Sequence, residues 1–281
     1  MIQSKPRTLV VGSTGFLGAT LVSQLESATG IDRSLVDLSH PISPAALDAM
    51  RAGDYRFVII CAGITDVEKC FRDRELSDRV NISGTIGLLN AIRQIGATPI
   101  FFSSDYVFAP RPGPHPEDAP RAPETQYGKQ KLAVEKYLEE NFDRYLIFRT
   151  SKLLSKSAHP KNILWQVLSD LQESKPIRAF EDQWLNPVFI EDIASVVDAA
   201  CKQELNGAYH LGTRRIFTRA ELAMLIAKAS GHDLALVRPA RMAEMRFPET
   251  RPHHNTLDCS KIENALGVRF TEVEEEIKDK K

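Results

Sequence analysis

The chain has 281 residues, of which 43% are hydrophobic and 26% charged, close to an ordinary globular composition. That composition excludes disordered and fibrous classes, and the length buries enough surface to hold a core without disulfides or metals. The 36 Lys and Arg nearly cancel the 37 Asp and Glu, for a net charge of −1, so no broad positive field exists to attract nucleic acid or anionic lipid.

The predicted elements alternate through the first half. Thr8–Val11 is a short apolar run ending at Gly12, and Phe16–Leu25 follows as a helix with Phe16, Leu17, Leu21, Val22 and Leu25 on one face. Phe57–Ala62 is a second apolar run, closed by Gly63. Leu76–Ile95 reads as one long helix capped by Gly96. Pro99–Phe102 is a third strand, followed by Ser103, Ser104 and Asp105. Tyr127–Asn141 is a helix and Tyr145–Phe148 a fourth strand. Apolar runs without alternation indicate strands covered on both faces. Their alternation with helices gives an α/β fold, a Rossmann-like doubly wound parallel sheet.

Between Phe108 and Gln126 lie six prolines, which forbid a continuous strand or helix. A loop this long is either an active-site cover or a passive excursion. Beyond Thr150 the pattern weakens. Ile163–Leu171 reads as a helix, Gly207–Gly212 as a strand, and Thr218 with Glu221 as a capping box. The division expected is a cofactor-binding domain over 1–150 and a smaller mixed α/β substrate-binding region over 151–281, with 188–211 returning to the sheet. Glu272–Lys281 is almost all charge and reads as a frayed, solvated helix.

Four dispersed cysteines, Cys61, Cys70, Cys201 and Cys259, form no CxxC pair and no zinc-type cluster. No metal is expected, and a reducing, cytoplasmic setting fits. The N-terminal residues lack the apolar core of a signal peptide. No apolar run reaches the roughly 18 residues of a membrane span.

Three motifs carry chemistry. Gly12-Ser13-Thr14-Gly15-Phe16-Leu17-Gly18 is a GxxGxxG turn between the first strand and first helix. Glycine there lets the backbone approach a pyrophosphate, and the helix start supplies free N–H groups. The plainer alternative is an ordinary turn with Gly18 for close packing. About 20 residues past such a motif an acidic residue binds a ribose diol, or a basic one a 2′-phosphate. Asp32, Arg33 and Asp37 all lie near that distance, in a Gly30–Ser39 stretch short for a strand and its loop. The choice between NAD and NADP stays open, as does a solvated loop. The third motif is Tyr127-Gly128-Lys129-Gln130-Lys131. Its Tyr127 and Lys131 share a helix face, and an ammonium beside a phenol lowers its pKa toward use as a general acid or base. Ser104 ends the preceding strand, where its hydroxyl can hold a substrate carbonyl oxygen.

GSTGFLG, CAG, SSDYVF, YGKQK and FRTS occur in the order typical of extended short-chain dehydrogenases. With DQWLNPVFIEDIA (182–194), GAYHLG and RPHHNTLDCSKIENALG (251–267), the chain resembles the dTDP-4-dehydrorhamnose reductase family from about Thr8 to Phe270. The resemblance implies an NADP- or NAD-dependent oxidoreductase acting on a nucleotide-linked 4-keto-6-deoxy sugar. It implies Ser104, Tyr127 and Lys131 as catalytic residues, Lys131 also binding the nicotinamide ribose. Gly12, Thr14, Gly15, Phe16, Leu17, Asp37, Leu38, Ala62, Gly63 and Thr65 would line the cofactor. Asp105, Tyr106, Val107, Lys152, Asn186 and Arg251 would face the substrate, Arg251 near its diphosphate. A nucleotide-sugar substrate is the implied partner, with neither nucleic acid nor membrane; a homodimer is one assembly the reading allows.

The chain departs from the family pattern at several points. Its second strand is trimmed. Lys152 stands where an aromatic residue is usual, and Leu185 and Val188 replace a glycine and a threonine. The region 251–267 is also similar to the β subunit of methionine adenosyltransferase. A non-catalytic, NADP-binding regulatory subunit is therefore one alternative, and a reductase or epimerase of another carbonyl compound is a third. His253 and His254 are adjacent, so their side chains diverge and do not form a bidentate metal site. Trp165 and Trp184 read as packing residues.

Overall fold

The computed structural model describes residues 7–278. In chain order the first half runs β1 (Thr8–Val11), α1 (Phe16–Gln24), β2 (Ala28–Ile31), α2 (Pro44–Ala52), β3 (Phe57–Ile60), α3 (Val67–Arg72), α4 (Arg74–Asp78), a π-helical turn (Arg79–Gly84), α5 (Thr85–Gln94), β4 (Thr98–Ser104), a 3-10 turn (Asp105–Val107), α6 (Gln126–Asn141) and β5 (Leu146–Thr150). The second half runs β6 (Leu153–Leu154), α7 (Ile163–Gln172), β7 (Ile177–Phe180), β8 (Trp184–Leu185), β9 (Val188–Phe189), α8 (Ile190–Lys202), β10 (Gly207–Leu211), β11 (Phe217–Thr218), α9 (Arg219–Ala229), β12 (Val237–Ala240), β13 (His254–Asn255), α10 (Ser260–Leu266) and α11 (Val273–Lys278).

The main sheet has the order β10-β5-β4-β3-β1-β2, and every pairing in it is parallel. The apolar runs explain why. Thr8–Val11 and Phe57–Ile60 are buried at every residue, as expected of strands covered on both faces. Alternate residues feed two cores. Val10, Ile59 and Phe148 pack with α1 and α8 on one face. Leu9, Val58 and Ile147 pack with α2, α5 and α6 on the other. The chain leaves β1 toward β2 and returns to β3 on β1's other side, so a topological switch point opens between β1 and β3.

A third core holds the second half. Leu164 and Leu171 of α7, Phe217 of β11 and Ile226 of α9 meet there, beside the parallel β7–β12 pair. β10 lies outside this core and joins the main sheet at its edge, aligning Gly207 with Leu146 and Leu211 with Thr150.

Three elements differ from the sequence reading. The long helix expected over Leu76–Ile95 is one helical run from α4 into α5, but it winds through a π turn over Arg79–Gly84; the break at Asp73 (φ −118°, ψ 66°) lies before it and separates α3 from α4. A Cβ at Gly84 would collide with the Leu38 carbonyl, so that helix stretch lies directly on the backbone after β2. The second strand is Ala28–Ile31 and ends before most of the Gly30–Ser39 stretch assigned to it. The C-terminal segment is not a solvated helix. Val273 and Ile277 of α11 are buried, and Glu274 and Glu276 pair with Arg215 and Lys156; residues 279–281 lie outside the described residues. Among the described residues no helix is long and apolar enough to cross a membrane.

Candidate active site

The glycine turn lies at the switch point. Gly12 has φ +88°, a left-handed conformation natural to glycine, and a Cβ there would come within 2.6 Å of the Ala62 backbone nitrogen. Gly15 caps α1 without a side-chain hydrogen bond, which leaves the helix-start N–H groups free for an anion. A Cβ at Gly18 would strike the Gly12 carbonyl. The cradle is therefore shaped for a backbone-bound diphosphate, and these residues fit a dinucleotide. Thr14 is exposed at its lip. Phe16 is half-buried and stacks on His159 at 4.5 Å. Leu17 turns into the core and offers only its backbone.

Across the cleft runs the loop Ala62–Gly63–Thr65, with Thr65 exposed. Asn81 fixes it. Asn81 Oδ1 accepts from Ile64 N at 2.8 Å, and Nδ2 donates to Ile64 O at 2.9 Å and to Gln130 Oε1 at 2.8 Å. One buried amide thus ties the cofactor-side loop to α6. It lies in the π turn, a distortion often found at functional sites. Sequence reasoning missed Asn81; its one signal was a polar residue flanked by Val80 and Ile82 inside an apolar pattern.

Asp32 is the first residue past β2 and accepts from Ser34 N at 2.8 Å. Asp37 accepts from Ser39 N at 2.9 Å and from Arg33 Nε at 3.0 Å. The Ser39 hydrogen bonds pull its carboxyl down to about 2. Leu38 is buried in the core, so what it presents outward is backbone. Beside it opens a cavity of about 470 Å³ lined by Leu38, His40, Leu47, Arg79 and Gly87.

The catalytic candidates converge at the end of β4. Ser104 terminates the strand, and its hydroxyl donates to Asp105 Oδ1 at 2.7 Å. Thr125 caps α6 by accepting from Gly128 N at 3.1 Å. Gly128 lets the helix lie on the 3-10 turn, since a Cβ there would overlap the Tyr106 carbonyl. That contact places Tyr127 against Tyr106, with ring centroids 5.9 Å apart. Lys131 is buried, donates from Nζ to Phe102 O at 2.9 Å, and lies 5.8 Å from the Tyr127 ring centroid.

Electrostatics differ here from the sequence reading, which has Lys131 lowering the Tyr127 pKa. Burial, then the Asp105 carboxylate, push Tyr127 well above an ordinary phenol, with the Ser104 hydroxyl pulling the other way. Burial lowers Lys131 to about 8. Tyr127 is therefore fully protonated at neutral pH. That is the form needed to give a proton to a developing alkoxide, a far stronger base.

Asp105, next to Ser104 in the chain, and Arg251, from farther along, both act electrostatically on Tyr106 and on Lys152. Burial, then Asp105, raise Tyr106 to about 12. Arg251 lies over the Phe247 ring at 4.3 Å. Two expected substrate contacts lie elsewhere. Val107 is fully buried in the main core. Asn186 is buried and fully engaged: Nδ2 donates to Leu257 O at 2.9 Å and Thr213 O at 3.2 Å, and Oδ1 accepts from Leu257 N at 3.0 Å. It is a structural clasp. Two residues enter that the sequence did not suggest. Arg219 acts electrostatically on Tyr106, Asp105 and Arg251. Glu249 accepts from Gln126 N at 2.7 Å, at the start of α6.

A buried ionic network holds the frame. Arg149 forks onto Glu135 at 2.9 and 2.8 Å and donates to Glu117 O at 2.9 Å in the proline-rich segment. Arg121 of that segment pairs with Glu135 and Glu139 at 2.9 and 2.7 Å. His210 Nε2 meets Arg149 Nη1 at 3.2 Å, and Nδ1 meets Asp258 O at 3.2 Å. Arginine only donates, so Nε2 is the acceptor and Nδ1 carries the proton. The proline-rich loop is thereby anchored to α6 and β10. His115 adds a pairing with Leu257. His254 stacks on Trp184 at 4.6 Å.

Residues 6–280 match the family model described as the RmlD substrate binding domain. A dTDP-4-dehydrorhamnose reductase of Streptomyces griseus is 30% identical over 268 residues, covering 92% of this chain and 87% of that protein. Methionine adenosyltransferase 2 subunit beta of Xenopus tropicalis is 26% identical, covering 93% and 83%. Among solved structures, dTDP-4-dehydrorhamnose reductase from Bacillus anthracis in complex with NADP superposes with a TM-score of 0.90 at 24% identity, covering 98% of each chain.

Proposed function

The chain belongs to the dTDP-4-dehydrorhamnose reductase family, NAD(P)-dependent oxidoreductases of the extended short-chain dehydrogenase type, and from that premise we propose that it reduces the 4-keto group of a nucleotide-linked 6-deoxy sugar. The observation carrying this reading is the convergence of Ser104, Tyr127 and Lys131 at the end of β4, on the same sheet edge as the Gly12–Gly18 cradle. When bound, the nicotinamide cofactor supplies a hydride to the keto carbon. Tyr127 gives its proton to the oxygen as negative charge develops there. The Ser104 hydroxyl, now held by Asp105, turns to the same oxygen and stabilises that charge. Lys131 holds positive charge beneath the site and offers its ammonium to the nicotinamide ribose.

The test is direct. Purified protein given a dTDP-4-keto-6-deoxy sugar depletes the absorbance of NADH or NADPH. No depletion with either cofactor, in protein that binds both ligands, counts against the reaction.

The similarity to the methionine adenosyltransferase subunit supports a second reading, a cofactor-binding regulatory subunit. It predicts NADP binding, no turnover on any nucleotide sugar, and a co-purifying protein partner.

A further inference from the structure

α6 carries two rows of side chains at i, i+4 spacing, one residue apart. Tyr127 and Lys131 form the row at the end of β4. Gln126 and Gln130 form the row beside it, about 100° around the helix. Both glutamines are buried. Gln126 Nε2 donates to Asp78 Oδ1 at 2.6 Å. Gln130 Nε2 donates to the same oxygen at 2.9 Å and to Ser77 Oγ at 2.8 Å. Asp78 is the last residue of α4 and leads into the π turn, and its other oxygen lies 3.6 Å from Arg74 Nε. Ser77 in turn donates to Cys70 O at 2.9 Å, which ties this side back to α3. The Gln126 backbone N–H is taken as well, by Glu249 Oε1 at 2.7 Å. The residue immediately before Tyr127 is therefore held by two carboxylates, one from α4 and one from the segment before β13.

These bonds go beyond what α6 needs in order to form. Thr125 already caps it, and Leu132, Val134 and Leu138 already pack it into the two cores. Apolar side chains suffice for a contact between helices, and burying amides there is costly unless each is bonded. What the amides add is direction. A hydrogen bond weakens steeply when misaligned, whereas apolar burial is non-directional. Apolar packing lets a helix turn about its axis; the Asp78 bonds resist that turn. Rotation of α6 is the motion that would swing Tyr127 away from Ser104, and the bonded glutamines directly precede Tyr127 and Lys131.

We propose that Asp78 and Gln126 are positioning residues for Tyr127: their hydrogen bond sets the rotation of α6, and with it the place of the phenol hydroxyl. They act through the helix and not on the reacting atoms. The effect on rate rests on the reductase reading; the effect on α6 does not.

Two measurements on the purified full-length protein test it. In the reductase assay Asp78→Ala and Gln126→Glu each lower kcat by about 10- to 100-fold, the scale of a reacting group misplaced by up to about 1 Å. The KM for the nucleotide sugar and the Kd for NADPH stay at their wild-type values. Gln126→Glu sets a carboxylate against a carboxylate. Adding Asp78→Asn exchanges amide and carboxylate across the same bond, at the wild-type net charge, and restores kcat, which separates the bond from general damage to the fold. Amide hydrogen exchange over residues 124–132 of the ligand-free protein is faster in Asp78→Ala and Gln126→Glu, and returns to the wild-type rate in the exchanged pair. Wild-type kcat in both single variants overturns the proposal. So does an exchanged pair as slow as Gln126→Glu, or unaltered hydrogen exchange over 124–132. A wild-type protein that turns over no nucleotide sugar, yet shows the expected exchange pattern, counts against the reaction and leaves the positioning bond standing.

Discussion

Gly128→Ala sets two physical effects against each other. By helix propensity alone, alanine in place of glycine inside α6 stabilises by about 1 kcal/mol. The structure predicts the opposite sign. A Cβ at Gly128 would lie 2.8 Å from Pro123 Cβ and 3.1 Å from Thr125 Oγ1, and closer still to the Tyr106 carbonyl. That carbonyl is backbone, in a turn fixed between β4 and α6, and cannot rotate aside. Overpacking of this kind costs roughly 1–3 kcal/mol, so the net change is a loss of about 1 kcal/mol. The α6 helix must back away by about 1 Å, a displacement that costs about 10²-fold in rate when it reaches a reacting group. Tyr127 is the adjacent residue. Urea unfolding of the ligand-free protein and kcat in the reductase assay read the two effects separately. Gly87→Ala in α5 is the control, since nothing lies within 4 Å of its Cβ position, and it gains about 0.5–1 kcal/mol. A Gly128→Ala protein as stable as Gly87→Ala, with unchanged kcat, would refute the packing argument.

Two further predictions concern the frame. Burial, then Arg149, push His210 down to about 3 from the ordinary 6.5. Between those values the unfolded chain binds a proton that the folded chain does not. Stability therefore falls as pH drops through that window and recovers as pH rises to 6.5, with a slope of at most about 1.4 kcal/mol per pH unit. His210→Gln keeps an acceptor for Arg149 and a donor for Asp258, and its urea midpoint should vary less between pH 6.5 and pH 5; an identical slope contradicts the assignment. Asn81→Ala strips partners from Ile64 N, Ile64 O and Gln130 at once. It should cost about 3 kcal/mol or more, at about 1–3 kcal/mol per buried group left unmatched, and raise the Kd for NADPH. Wild-type unfolding by Asn81→Ala would show that this amide is not the link between the cofactor loop and α6.

The strands that place the site were legible because β1, β3, β4 and β5 are continuous apolar runs, which burial on both faces imposes. β2 was not. Ala28-Thr29-Gly30-Ile31 is an edge strand with two exposed residues, so no apolar signal marks it. The π turn was hidden because what fixes it is distant: Gly84 fits against Leu38, and Asn81 reaches Ile64 and Gln130. Tyr127 and Lys131 could be found from their spacing on one helix face. Arg219 could not, because in sequence it is only a charge following a helix cap, and tertiary packing alone brings it toward Tyr106. Val107 and Asn186 show the converse. Their motif suggested the substrate, whereas the fold uses one to fill the core and the other to clasp the Leu257 backbone.

The central claim is that Tyr127 delivers the proton to the reduced carbonyl. Substituting Tyr127→Phe removes one hydroxyl and keeps the ring that packs against Tyr106. With a dTDP-4-keto-6-deoxy sugar and reduced cofactor, the account predicts that kcat falls about 10²–10⁴-fold while NADPH binds with wild-type affinity. Turnover by Tyr127→Phe at the wild-type rate would contradict it.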